Sequence, residues 1–196
     1  MWGHIKMKLF LIIAALLLGQ YQIGQRSFVP PSSGCTVQAD QLTGTNNETN
    51  VLGNSTGTTY GAYIFTAASS YTLCAVTVPL EKVGSPSFTL NAYIFSVVST
   101  LPASQIGTGS ANLATSSLTT SFTNVNFTGL NATIVNGTQY AIVVISTGAP
   151  NDFTNYAQWG GTGVGSSPPC IYSSATGSSW TCSTGNTQGI LTTYHA

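Results

Sequence analysis

Short runs of β-branched, aromatic and aliphatic residues recur along this chain, spaced about 10–15 residues apart and separated by turn residues. No window keeps a helical period, because Gly, Ser, Thr and Asn interrupt every candidate. The pattern predicts an all-β protein: an antiparallel two-sheet β-sandwich, jelly-roll-like, of about ten strands. The first strong strand is Tyr60–Ala67, and Tyr71–Pro79 follows it. Glu81–Pro86 reads as a loop, with Glu81 beside Lys82 in a solvated turn. Ser87–Val98 is the longest strand, and Phe88, Leu90, Ala92 and Ile94 alternate onto one face. Thr119–Phe127 changes parity between Phe122 and Val125, which predicts a bulge near Thr123–Asn124. Asn136-Gly137 joins two β-prone runs and predicts a hairpin with a type I′ turn. The run Tyr140–Ile145 is almost wholly apolar and should be a central strand buried on both faces. Phe153–Trp159, a hairpin of Cys170–Ser174 with Ser179–Cys182, and Gln188–Tyr194 complete the set.

Two other stretches break this pattern. Leu9–Leu18 is ten unbroken apolar residues behind Lys6 and Lys8. That is too short for the ~20 residues a bilayer span needs and fits a secretory signal, here residues 1–22. Leu17 suits the cleavage pattern poorly, so a retained anchor is the alternative. Residues 23–58 are a polar lead-in, with little to bury beyond Val51 and Leu52. The sandwich domain is expected over 59–196.

Charge sharpens the picture. Only 8 of 196 residues are charged, whereas 29 are Thr and 23 Ser. Without the signal, Arg26 and Lys82 stand against Asp40, Glu48, Glu81 and Asp152. Such a surface has no field to attract nucleic acid, and no membrane contact is expected once the signal is removed. Catalysis has few tools. His195 is the one histidine after the signal and, one residue from the end, is expected to fray. The G-x-S-x-G run Gly53–Gly57 lies in the polar lead-in with no helix pattern after it, so it is no nucleophile elbow. The Gly160–Gly165 run precedes Pro168-Pro169, not a helix, so it is no phosphate loop. No catalytic residue, cofactor or firm metal site is assigned; Asp152, flanked by Asn151 and Asn155, is a weak calcium candidate against the plainer reading of a capped turn.

Cys35, Cys74, Cys170 and Cys182 are an even set after an export signal, which implies two disulfides outside the cytoplasm. Three pairings are open; Cys170–Cys182 across the late hairpin and Cys35–Cys74 are favoured over a zinc site, for which CxxC spacing is lacking. Five N-x-S/T sequons occur, at Asn47, Asn54, Asn126, Asn131 and Asn136.

The order of several short stretches resembles a family of secreted modules, the choice-of-anchor domains of type R. The stretches are Val83-Gly84-Ser85-Pro86, Leu90–Ile94, Leu101-Pro102, Val125–Phe127, Asn136–Val143, Asn155–Gly160, Tyr172–Ser174 with Ser179–Thr181, and Leu191–Tyr194. The resemblance spans roughly residues 60–194. It implies a jelly-roll-like domain on the outside of bacteria, archaea or their viruses, with glycan or surface binding presumed and no catalysis. The four cysteines depart from the family pattern.

The aromatics carry the remaining chemistry. Tyr156, Gln158, Trp159, Tyr172 and Trp180 gather in the last third beside Gly-rich loops. Sugars stack on flat rings and bond to amides, so these five are the candidate ligand residues; packing in the core, with Trp180 against the Cys170–Cys182 bridge, is the competing role for the tryptophans. Two functions follow: a non-catalytic module binding a glycan or cell-surface polymer, or a self-assembling subunit of an extracellular filament, sheath or virion built by strand donation from the lead-in.

Overall fold

The computed structural model describes residues 34–46, 48–53, 60–149, 153–163, 170–183 and 187–196. The expected signal, Asp152, and the sequons at Asn47 and Asn54 lie outside the described residues. Fourteen strands are described, and the only helical element among these residues is one 3-10 turn, Thr115–Ser117.

Two antiparallel seven-stranded sheets pack face to face. Sheet I holds β1 (Val37–Leu42), β2 (Glu48–Leu52), β4 (Tyr71–Val83), β8 (Thr123–Ile134), β10 (Tyr156–Gly163), β13 (Thr187–Gly189) and β14 (Leu191–His195). Sheet II holds β3 (Tyr60–Thr66), β5 (Thr89–Val98), β6 (Leu101–Ile106), β7 (Leu113–Ala114), β9 (Gln139–Thr147), β11 (Ile171–Ser174) and β12 (Thr181–Ser183). The longest strand is β4, not β5, because the ladder runs on through Glu81 to Val83 against Tyr156–Trp159 of β10. Glu81 is therefore a sheet residue rather than part of a turn.

Polar sequence did not keep the stretch 23–58 off the sheets. Within it, β1 pairs with β14 and β2 pairs with β10. Both are edge strands, where one buried row suffices, and Leu52 supplies it at 0% exposure.

The core lies between the sheets. Trp159, Tyr63, Phe127, Leu73, Leu80, Ile94 and Ile142 are among its largest fully buried side chains. The Trp159 and Tyr63 rings meet edge to face with centroids 4.5 Å apart, and Trp159 Nε1 donates to the Ile190 carbonyl at 3.1 Å. That bond satisfies the one polar group the indole takes out of water. Gly189 makes room for the pair: a Cβ there would lie 1.9 Å from Tyr63 Cγ.

The Asn136-Gly137 turn differs from expectation. It is not a hairpin, since β8 belongs to sheet I and β9 to sheet II. Gly137 has φ +73°, but Asn136 is not left-handed, so the type I′ geometry is absent. Instead Gly137 N–H donates to Ala67 C=O, and Ala67 N–H donates to Thr138 C=O. The turn is thus stitched to the β3–β4 connection, which crosses between sheets beside it. The two-residue left-handed hairpin lies elsewhere: Ser99 (φ 49°) and Thr100 (φ 67°) join β5 to β6, with Val98 opposite Leu101. The bulge expected near Thr123–Asn124 is displaced as well. It sits on β8 at residues 129–131, which face Cys74 of β4 where the register shifts, and Gly129 there has φ +84°.

Both favoured disulfides form, Cys35–Cys74 and Cys170–Cys182, with Cα atoms 5.9 and 5.6 Å apart. Closing loops of 39 and 12 residues restricts the unfolded chain by about 4 and about 3 kcal/mol respectively on the loop-entropy account.

Candidate functional site

The two sheets differ in what they turn outward. Directly opposite residues of an antiparallel ladder share a face. Across sheet II, Tyr172, Ala62, Val143 and Tyr93 are aligned on β11, β3, β9 and β5, and so are Ile64, Ala141 and Phe95 on the last three. Together with Tyr60, Cys170 and Trp180 they form an apolar cluster separate from the main core. The expected two-sided burial of Tyr140–Ile145 is observed: Tyr140, Ile142 and Val144 face the core, and Ala141 and Val143 face this outer cluster. Sheet I is polar outside by comparison. Thr77 Oγ1 donates to Asn126 Oδ1 there, and Gln158 lies opposite Glu81.

This division separates the five candidate residues. Trp159 is 0% exposed in the core, so its ring has no face for a sugar. Tyr156 and Gln158 are half-buried on β10 in sheet I, and Gln158 Nε2 donates to Thr49 Oγ1 at 3.3 Å. Tyr172 and Trp180 stand together in the outer cluster of sheet II. Trp180 packs edge-on to Tyr60 and Phe95, with centroids 6.2 and 6.4 Å away, and its buried Nε1 has no hydrogen-bond partner among the described residues.

Tyr172 also lines a cavity of about 330 Å³. Among the described residues β11 pairs with β3 only over Tyr60–Ala62. The cavity extends from there along Tyr63–Thr66 and is completed by Leu42, Thr100, Gln139, Cys170 and Gly189. Rings and aliphatic groups make its walls, while the Thr66 and Thr100 hydroxyls and the Gln139 amide supply the polar contacts. No charged side chain lines it among the described residues. Burial pushes the Tyr172 hydroxyl above its ordinary pKa, so it stays a neutral group. Thr66, Thr100 and Gln139 were not legible as site residues: they converge only because β3, the β5–β6 hairpin and β9 end at the same place.

At the other end of β14, His195 does not fray. It pairs with Val37 and Leu73, and its ring stacks on Tyr71 at 5.5 Å. Beneath lies Asp40, 7% exposed, whose carboxylate accepts from Ala68 N–H at 2.8 Å and from the Tyr71 hydroxyl at 2.5 Å. Thr193 Oγ1 is 2.9 Å from the same hydroxyl. The group ties β1, the β3–β4 connection, β4 and β14 together. Desolvation first, and then the Asp40 contact, raise the Tyr71 pKa far above its usual value. No cluster of three or more His, Cys, Asp or Glu side chains suited to a metal occurs among the described residues.

Neither a known family nor a curated protein matches the sequence. The fold is similar to part of the clostridial cysteine protease Cwp84 after propeptide cleavage, at 14% identity and a TM-score of 0.56, over 84% of this chain and 40% of that one. A structure of the cysteine protease and lectin-like domains of Cwp84, a surface layer associated protein of Clostridium difficile, aligns over 70% of this chain and 32% of that one, with 14% identity and a TM-score of 0.48. This chain thus spans less than half the length of these neighbours. At such identity the first likeness concerns the β-rich fold alone.

Proposed function

We propose that the chain is a secreted, non-catalytic β-sandwich module that binds a glycan or a cell-surface polymer. The observation that carries this reading is the cavity at the end of the β3–β11 ladder. It joins an aromatic ring, Tyr172, to the neutral hydroxyls and amide of Thr66, Thr100 and Gln139. Rings offer a stacking face and the polar groups offer hydroxyl partners, which is the chemistry a sugar requires. Two disulfides suit an oxidising, extracellular setting. Trp180 acts behind Tyr172, packing the face from which that ring projects.

The second reading, a filament subunit built by strand donation, draws on residues 23–58. Of these, 37–42 and 48–52 already occupy edges of the domain's own sheet I. Donation would have to strip them away, and β1 is held by the Cys35–Cys74 bridge and by Asp40. Binding is therefore the better supported of the two.

A glycan array together with binding to whole bacterial and archaeal cells tests the proposal. Retention on at least one carbohydrate class, weakened by Gln139→Ala, is the expected result. Folded protein that is silent on both, yet forms fibres under the electron microscope, would replace it with the second reading.

A further inference from the structure

Leu42, the last residue of β1, lines the Tyr172 cavity and also a second hollow of about 230 Å³. The polar lining of this second hollow is Gln41, Thr43, Asn46, Thr77, Asn124 and Thr192. Three amides and three hydroxyls meet there, with no charged side chain among the described residues that line it.

The link between β1 and β2 builds this groove. Gly44 lets the backbone lie against β10, since a Cβ would come within 2.3 Å of Thr162 Cβ. Asn46 is left-handed, with φ 55°, a conformation Asn tolerates better than most residues. Its Oδ1 is turned onto Gly160, where a Cβ would come within 2.2 Å of it, and is shut off from solvent. The residue as a whole is half-buried at the groove.

Taken singly, the two hollows lie at or below the small end of ligand sites, ~300 Å³; together they fall within the usual range. They are also complementary. One offers rings, the other mainly hydrogen-bonding groups, and only Leu42 is common to both.

We propose that the groove is a second subsite adjoining the Tyr172 cavity, and that the ligand is an uncharged oligosaccharide long enough to cross Leu42 and fill both. The inference rests on the glycan reading above and deepens it. Charged sugars are disfavoured because neither hollow holds a cation among the described residues to compensate a carboxylate. A single sugar unit gains from one hollow only.

Calorimetric titration with neutral linear gluco- and manno-oligosaccharides of two to six units tests this, with oligogalacturonates as the charged control. Affinity is expected to rise about tenfold from the shortest to the longest neutral sugar, the worth of roughly one net hydrogen bond. Asn124→Ala and Asn46→Gly, the latter keeping the left-handed backbone accessible, should remove that rise and leave the shortest sugar unaffected. Gln139→Ala in the cavity should weaken every length alike. Binding that is independent of length, or a rise that survives both groove variants, overturns the second subsite and leaves the glycan reading standing. Preference for the galacturonates overturns the neutral ligand. Absence of binding by any sugar that an array or cell surface presents overturns the glycan reading, and this inference with it.

Discussion

Asp40 joins β1 to the β3–β4 connection, β4 and β14, and removing it gives a quantitative test of how the N-terminal strand is held. The carboxylate is buried and accepts from Ala68 N–H and Tyr71 O–H, while the Asp40 N–H donates to Thr193 Oγ1 at 2.8 Å. A hydrogen bond to an ionised group contributes ~1.5–3 kcal/mol, and a buried donor stripped of its partner costs ~1–3 kcal/mol. Asp40→Ala removes the acceptor of Ala68 N–H, but Ala68 is exposed and water can take the place of the carboxylate. The Tyr71 hydroxyl is stranded only in part, because Thr193 Oγ1 remains 2.9 Å away. The expected loss is about 2–3 kcal/mol. Asp40→Asn keeps an acceptor for Ala68 and lets Tyr71 turn its proton to Thr193, so about 1–2 kcal/mol is expected. Tyr71→Phe should cost about 2–3 kcal/mol, with Asp40 and Tyr71 coupled by more than about 1 kcal/mol in a double-mutant cycle.

Equilibrium urea unfolding followed by the fluorescence of buried Trp159 measures the wild type, the three single variants and the double variant. Hydrogen exchange adds location: in Asp40→Ala the β1 and β14 amides should lose protection before those of β9. A loss below about 1 kcal/mol for Asp40→Ala, or additive single variants, would refute the tie between β1 and the sandwich. It would also weaken the case against strand donation, since the Cys35–Cys74 bridge would then be the remaining hold on β1 named above.

Three further changes follow from local geometry. Ser99→Asn with Thr100→Gly should stabilise the protein by about 1 kcal/mol, or about 2–4 °C in Tm, because the native pair holds a β-branched residue at φ 67°; calorimetry showing no gain would mean the hairpin is unstrained. Gly189→Ala should cost about 3 kcal/mol in denaturant titration and shift Trp159 emission, since the new methyl collides with Tyr63 where Trp159 blocks its retreat; a neutral result would show the core repacks freely. Burial raises the Glu81 pKa, so the folded state keeps that proton to higher pH than the unfolded chain. Its contribution to stability is complete below the ordinary carboxylate pKa and is lost as pH rises through the folded value. Glu81→Gln should flatten that part of the Tm–pH curve, raising Tm at pH 7 and leaving it unchanged near pH 3; an unaltered slope would refute the assignment.

Burial periodicity was the part of this fold most legible in sequence. The row Phe88, Leu90, Ala92 and Ile94 faces the core as its alternation demands, and the all-apolar β9 is buried on both sides. Pairing partners were less legible, because the same local signal serves two topologies. Asn136-Gly137 supplies a positive φ at glycine, and a hairpin and a crossover both use one. What decides between them is the Gly137 N–H bond to Ala67, a contact between segments about 70 residues apart in sequence that no local pattern encodes. Ser99-Thr100 is the converse case. Its residues argue against the left-handed turn it adopts, and the ladder of Val98 with Leu101 imposes that turn.

The candidate site followed the same rule. Aromatic composition pointed to the last third of the chain, and strand parity then divided the five residues. On β10, Ala157 and Trp159 turn inward, which obliges Tyr156 and Gln158 to turn away from the core. Trp159 is held inside by the Ile190 carbonyl and the Tyr63 ring, partners available only where the sheets meet. Tyr172 escapes the core because it lies opposite Ala62, on the outer face of sheet II, at the place where β11 ends its pairing with β3. A ring projecting beside the end of a ladder has room next to it that a mid-sheet ring lacks. That room is the cavity, and its other walls, Leu42, Thr100 and Gln139, come from a lead-in strand, a hairpin tip and a strand start. Loss of sugar binding in Gln139→Ala without loss of stability would therefore locate function at the junction of these elements and not in the aromatic cluster behind it.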